Sequence, residues 1–218
     1  MNTLDYIIND LKPFDIGSSI SEVQRAFNQL TYSHVPVSKD GVYMGCISET
    51  DAHCFEGEKV ISDYQYALES FHVVKQTNWL DILEAFALNA CNIMPVLDEK
   101  NTYLGYYELG DIMDLFNNTP FLYEAGGIVV VEKGSSDYSF SEICQIVETN
   151  DGKILGTFIS KIENDLTQVT IKIGHTGMNA MVQTFRRYGY KIVSEHPEDK
   201  MLEDLKERSD YLDRYLNM

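Results

Sequence analysis

The sequence predicts an α+β protein, and three observations carry that prediction. A unit of strands and helices occurs twice in the first half. Each copy mixes apolar stretches of strand and helix spacing. The second half then follows the order βαββαβ. The doubling is visible residue by residue. Ser33-His34-Val35-Pro36-Val37 returns as Asn92-Ile93-Met94-Pro95-Val96, and Tyr43-Met44-Gly45-Cys46-Ile47 returns as Tyr103-Leu104-Gly105-Tyr106-Tyr107. Each copy closes on an aspartate, Asp51 or Asp111. The prolines stand 59 residues apart and the glycines and aspartates 60, so one residue slips between them. A unit of this size cannot bury its apolar face alone, so two copies imply one pseudo-symmetric domain with two equivalent clefts.

The elements of the repeat follow in order. Residues 3–11, with Leu4, Ile7, Ile8 and Leu11, have helical spacing and should complete the first module. Val23, Ala26, Phe27 and Leu30 form one helical face, matched in the second copy by Leu80, Leu83, Ala85 and Phe86. A short apolar strand follows, containing Pro36 or Pro95. A proline there indicates a strand start or an edge, because it donates nothing to a ladder. Lys39-Asp40-Gly41 and residues 98–101 supply turns. The second strand, 42–47 or 102–107, passes straight into a helix beginning near Ser48 or Glu108. Each unit therefore reads strand, helix, strand, strand, helix.

In the second half a strand at 127–131, entered through a hinge at Gly126-Gly127, leads into the polar loop 132–137. Ser139 and Glu142 have capping-box spacing, and Ile143, Ile146 and Val147 keep helical spacing up to Asn150-Asp151-Gly152. Two strands, 154–162 and 167–173, turn at Asn164-Asp165. Gly174-His175-Thr176-Gly177 reads as the entry to a helix carrying Met178, Met181, Val182 and Phe185, which stops at Gly189 before a last strand, 190–194. Residues 197–218 are charged, with Leu202, Leu205, Leu212, Tyr215 and Leu216 near helical spacing. They predict an amphipathic helix packed on the protein or on a second subunit.

Composition narrows the function. The 17 basic and 34 acidic residues leave a net charge of −17, whose field repels phosphate backbones, so nucleic acid is a poor partner. The densest basic cluster, Arg186-Arg187 with Lys191, suits a helix C-terminus better than a binding stripe. The longest apolar runs fall far short of the roughly 20 residues that span a bilayer. The N-terminus has no signal-peptide pattern, so no membrane association is expected and the cytoplasm is the expected compartment. Cys46, Cys54, Cys91 and Cys144 lack metal spacing and should be buried or half-buried free thiols. Among the histidines only His34 and His53 qualify as catalytic bases. No nucleophile elbow, metalloprotease helix or phosphate-binding glycine loop accompanies them, so no enzymatic activity is expected.

Proline-valine, a glycine at a strand, and a hydroxyl residue three before an aspartate, repeated in register, resemble a pair of CBS (cystathionine-beta-synthase) motifs over residues 1–118. The βαββαβ order over 119–196 resembles an ACT-like domain of ferredoxin-like fold, and 197–218 would follow it as the C-terminal helix. The combination, with Phe185-Arg186-Arg187-Tyr188-Gly189-Tyr190, is similar to bacterial acetoin-utilisation accessory proteins. The resemblance implies a non-catalytic regulatory homodimer that senses an adenosine-containing molecule in the CBS clefts and signals to an effector protein. It also implies roles. Asp51 would accept from a ribose diol and Ser48 would contact phosphate near a helix N-terminus, while His34 and Pro36 stand at the strand mouth. In the second copy Asp111 matches, but Glu108 replaces the hydroxyl, where it would repel phosphate and could itself occupy the helix N-terminus, so the two sites should be unequal. AMP or S-adenosylmethionine should therefore be better tolerated than ATP. One alternative is that Ser48 and Asp51 form only a capping box, with Asp51 reaching back. Another is a ligand-free structural adaptor for oligomerisation and partner docking.

Overall fold

The computed structural model describes residues 3–174 and 178–194. The chain divides into two compact units between Asn118 and Thr119. The first copy of the repeat contains β1 (Phe14–Asp15), α1 (Ile20–Phe27), β2 (His34–Lys39), β3 (Val42–Ser48) and α2 (Glu49–Cys54). The second contains β4 (Val73–Val74), α3 (Trp79–Asn89), β5 (Ile93–Leu97), β6 (Tyr103–Glu108) and α4 (Leu109–Asn117). In both, the first strand runs parallel to the second, which pairs antiparallel with the third. The predicted strand, helix, strand, strand, helix order is present twice.

Local chemistry accounts for these elements. Ser19 accepts from the Glu22 N–H while Glu22 accepts from the Ser19 N–H, a complete capping box that starts α1. Asp40 and Gly41 both have positive φ, 51° and 80°, the two-residue hairpin turn that matches strand twist. In the second copy Asp98 Oδ1 instead holds the turn, accepting from the N–H groups of Lys100 and Thr102 at 2.8 Å each. Val23, Phe27, Val35, Val37 and Ile47 bury one core, and Ile82, Phe86, Met94, Val96 and Tyr107 its counterpart. The expected face of α3 holds at Phe86, with Leu83 and Ala85 packed against the core, and fails at Leu80. Ile82 and Phe86 face inward, as Val23 and Phe27 do, while Leu80 is 56% exposed.

The copies meet along a seam of equivalent residues. The Ser33 N–H donates to Asn92 Oδ1 at 2.8 Å and the Asn92 N–H donates to Ser33 Oγ at 3.1 Å. Val42 bridges Thr102, and Tyr43, Cys46, Leu97, Phe71 and Tyr103 pack together. Two segments cross between copies. Residue 69, in the linker, bonds both ways with Cys46 of the first copy, at 2.7 and 2.9 Å. Ile8, before the first copy, bonds both ways with Tyr106 of the second, at 2.9 and 2.8 Å. These crossings need glycine. A Cβ on Gly45 (φ 143°) would lie 2.9 Å from the Glu69 carbonyl oxygen, and one on Gly105 (φ 153°) 2.2 Å from that of Ile8. The expected helix over 3–11 is accordingly replaced by a 3-10 turn, Thr3–Tyr6, and an extended stretch. The second copy's backbone takes the hydrogen bonds that a helix would have kept for itself.

The second unit contains α5 (Pro120–Tyr123), β7 (Gly126–Gly134), α6 (Phe140–Thr149), β8 (Ile154–Glu163), β9 (Leu166–Gly174), α7 (Met178–Arg187) and β10 (Lys191–Ile192). Its antiparallel sheet has the order β10-β7-β9-β8, so the βαββαβ chain folds in the ferredoxin-like way. Val129, Val131, Val169 and Ile171 pack against Ile143, Ile146, Met181 and Phe185 of the helices. Gly126 and Gly127 are not a hinge. They belong to β7, where added Cβ atoms would lie 2.1 Å from the Ile173 carbonyl oxygen and 2.0 Å from Met178 Cε. Ser139 caps α6, but Glu142 pairs with Lys133 at 2.9 Å instead of closing a box. Arg186 and Arg187 lie in the last turn of α7. The predicted helix at 197–218, and residues 175–177 of the predicted helix entry, lie outside the described residues. Among the described residues no helix is long and apolar enough to cross a membrane.

Gly105→Ala should cost about 2–4 kcal/mol in urea unfolding, because the Ile8 backbone, together with Ile7 Cγ2 at 2.8 Å, blocks its methyl. Gly41→Ala, with open space around it, should cost only the left-handed strain of about 1–2 kcal/mol. Equal costs would contradict the crossing. The thiols give a second check. Cys46 and Cys91 are buried, Cys144 is partly buried, and Cys54 is exposed, contrary to the expectation of at least half-burial. Burial pushes Cys46 up to about 12 and Cys91 up to about 11. At pH 8 a disulfide reagent should therefore label Cys54 and Cys144 first and reach Cys46 and Cys91 only after unfolding. The stability linked to Cys46 is complete below its ordinary value of 9.0 and is lost as pH rises towards 12.

Candidate functional site

Strand alternation decides which side chains meet. Val35, Val37 and Ile47 turn to the first copy's helices, so His34, Pro36, Cys46 and Ser48 share the other face. His34 lies directly opposite Ser48, and Pro36 opposite Cys46, one pair further along and in the seam. His34 is 6% exposed. Its Nδ1 lies 2.8 Å from Ser33 Oγ and its Nε2 3.3 Å from Glu69 Oε1, while its ring meets Phe71 edge-on with centroids 5.1 Å apart. Glu69 and Phe71 belong to the crossing linker and were not legible as site residues. The available signal was Gly45, whose strand position admits a neighbouring backbone without saying which one.

Ser48 caps α2, its hydroxyl accepting from the Asp51 N–H at 3.1 Å. Asp51 does not return the bond, unlike Glu22 in the complete box of α1. Its half-buried carboxylate makes no hydrogen bond to any described residue. The capping alternative therefore explains Ser48, and it leaves the Asp51 carboxylate in the first turn of α2, favoured there by the helix N-terminus but without a hydrogen bond of its own. His53 is exposed beside the Phe27 ring, at 6.5 Å, rather than paired with Asp51.

The second copy is built differently at the equivalent place. Ile93 stands opposite Glu108 and Pro95 opposite Tyr106. Glu108 does not cap α4, contrary to the sequence expectation. Its Oε1 accepts from the Tyr32 hydroxyl at 2.7 Å, because Tyr32 reaches across from the first copy. The Tyr32 hydroxyl also lies 2.7 Å from that of Tyr106, which donates to Asp10 Oδ1 at 2.7 Å. Burial pushes both phenols up, so they keep their protons and remain donors to the carboxylates. Tyr106 is fully buried where the first copy has the smaller, equally buried Cys46, and its ring meets that of Tyr32 edge-on with centroids 5.4 Å apart. Asp111 is half-buried, with no hydrogen bond to a described residue. The structure thus brings His34 and Ser48 together on one face with Asp51 one turn on, and ties Glu108 to aromatic side chains.

Ser33, His34 and Glu69 form a hydroxyl, imidazole and carboxylate row, but the Ser33 oxygen is engaged in the seam. It lies 3.0 Å from Asn92 Oδ1 and accepts from the Asn92 N–H. His34, Ser48, Asp51 and Glu69 together offer hydrogen-bond acceptors, one hydroxyl and an imidazole, with no lysine or arginine. That set suits a polar, diol-bearing ligand better than a polyanion. Among the described residues no group of three or more His, Cys, Asp or Glu side chains is arranged to hold a metal ion.

No family model matches the sequence, and no curated protein matches it. Solved structures resemble part of it. A CBS domain pair/ACT domain protein from Thermotoga maritima is 17% identical with a TM-score of 0.48, over 53% of this chain and 96% of that one. The CBS domains of a transcriptional regulator from Streptococcus pneumoniae are 16% identical with a TM-score of 0.47, over 52% and 98%. CBSX2, a structure containing AMP, is 16% identical with a TM-score of 0.44, over 51% and 93%.

Proposed function

We propose that the first copy of the repeat binds an adenosine-containing molecule of low negative charge, and that the protein is a non-catalytic regulatory sensor. The observation that carries this reading is Asp51, a half-buried carboxylate with no hydrogen bond to a described residue, next to Ser48, where the equally unbonded Asp111 has instead Glu108 tied to Tyr32. A cis-diol supplies two donors to such a carboxylate, and hydrogen bonds to a charged group are worth about 1.5–3 kcal/mol each. The CBS-like motif of Gly45, Ser48 and Asp51 supports the assignment, and His34 and Phe71 supply aromatic surface for a base. Glu69 and Asp51 disfavour a triphosphate. AMP or S-adenosylmethionine is the expected ligand, in keeping with the chain's net charge of −17. The second copy, with Glu108 held by Tyr32, leaves one ligand per chain. On this reading residues 1–118 are a CBS pair and 119–196 an ACT-like domain. The protein is a cytoplasmic homodimer, and ligand binding shifts its equilibrium between two arrangements that present different surfaces to an effector protein.

Titration calorimetry of the full chain tests this. AMP or S-adenosylmethionine should bind at one per chain, and ATP at least tenfold more weakly. Asp51→Ala should lower affinity tenfold or more, a loss of about 1.4 kcal/mol, with Asp111→Ala close to wild type. Tight ATP binding that survives Asp51→Ala would overturn the assignment. The absence of a melting shift with any adenosine compound would favour the ligand-free adaptor. Tyr32→Phe, which removes the donor to Glu108, should cost about 1–3 kcal/mol in urea unfolding and leave the stoichiometry at one.

A further inference from the structure

Charge separates the adenosine compounds that the first copy can hold. A phosphate bound where a strand runs into a helix draws on backbone N–H groups, hydroxyls and cationic side chains. Most of those donors are already engaged. In the first turn of α2 the Glu49 N–H donates to the Ser33 carbonyl at 2.9 Å and the Asp51 N–H to Ser48 Oγ at 3.1 Å. Both ring nitrogens of His34 have neighbours, Ser33 Oγ at 2.8 Å and Glu69 Oε1 at 3.3 Å. The stretches that meet here, residues 31–37, 45–53 and 67–72, contain no lysine or arginine.

The same stretches supply the carboxylates of Glu49, Asp51 and Glu69. Glu69 differs from the other two, because the crossing linker and not α2 carries it to His34. Its side chain is 45% exposed, and its Oε2 makes no hydrogen bond to a described residue. An unbonded carboxylate oxygen therefore stands beside the aromatic surface of His34 and Phe71. The crossing itself does not require the charge. Position 69 crosses through its backbone, which bonds both ways with Cys46, and at the matching place in the second copy Ile8 bonds both ways with Tyr106 using an apolar side chain. The Glu69 carboxylate is thus free for a ligand.

Resting on the reading that the first copy binds adenosine, we propose that Glu69 selects adenosine compounds that carry a positive charge, through an ion pair that a phosphate-bearing one cannot make. The ligand class is a nucleoside with a sulfonium or ammonium substituent, in preference to a nucleotide. Such discrimination comes as much from leaving the anion without donors as from holding the cation.

Calorimetric titration of the full chain with adenosine, S-adenosylmethionine and AMP tests it. S-adenosylmethionine should bind at least tenfold more tightly than adenosine, and AMP more weakly than adenosine, a ranking read on the unaltered protein. In Glu69→Gln, shown by its melting curve to be folded, S-adenosylmethionine should come within threefold of adenosine measured on the same variant. AMP or adenosine binding as tightly as S-adenosylmethionine would overturn the inference and leave the adenosine site standing. So would a preference for S-adenosylmethionine that Glu69→Gln leaves intact. Binding of none of the three would remove the adenosine reading, and this inference with it.

Discussion

Two crossing backbones, hydrogen-bonded to Cys46 and Tyr106 beside two glycines, hold the first unit together. The Ile8 carbonyl against Gly105 and the Glu69 carbonyl against Gly45 leave no room for a Cβ, and each contact is fixed by a reciprocal pair of hydrogen bonds. Neither copy supplies its own crossing strand. The segment before the first copy serves the second, and the linker after the first copy serves the first. This exchange makes the doubled unit one cooperative body. It also delivers Glu69 and Phe71 to His34, so the seam that stabilises the fold also shapes the candidate site.

Duplication places equivalent positions in equivalent geometry, and single replacements then divide their uses. Cys46 and Tyr106 occupy matching strand positions, yet one is a small thiol and the other a fully buried ring. Ser48 and Glu108 both end their strands, yet Ser48 caps a helix and Glu108 accepts from Tyr32. In the second copy every hydroxyl and carboxylate of the Asp10, Tyr106, Tyr32 and Glu108 row has a partner. Asp51 and its counterpart Asp111 alike make no hydrogen bond to a described residue. What distinguishes the copies is Glu108, tied to Tyr32, where the first copy has Ser48.

The repeat and its element order were legible because proline, glycine and aspartate punctuate both copies at nearly constant spacing. The α+β class and the βαββαβ order of the second unit were legible from periodicity. What was missed is long-range. Residues 3–11 have helical spacing, but the backbone of Tyr106 competes for their hydrogen bonds and wins. Of the expected face of α3, Phe86 is buried and Leu83 and Ala85 pack on the core. Leu80 was placed inward in place of Ile82, because an apolar helix face is readable in more than one rotation and only packing settles it. Gly126 and Gly127 looked like a hinge, since close approach to Ile173 and Met178 leaves no mark in sequence. At the site, Ser48 and Asp51 were readable as a motif, and whether Asp51 caps or stays open was not. Glu69 and Phe71 reach His34 only through the crossing, and Tyr32 reaches Glu108 only because the two copies pack together.

The role proposed for Asp51 is to hold a single adenosine-type molecule in the first copy. Native mass spectrometry of the purified full chain, followed by identification of whatever small molecule it releases, is the decisive experiment. One adenosine-containing molecule per chain, lost from the Asp51→Ala protein, is the predicted result. Two per chain, or an adenosine compound retained undiminished without the carboxylate, would contradict it.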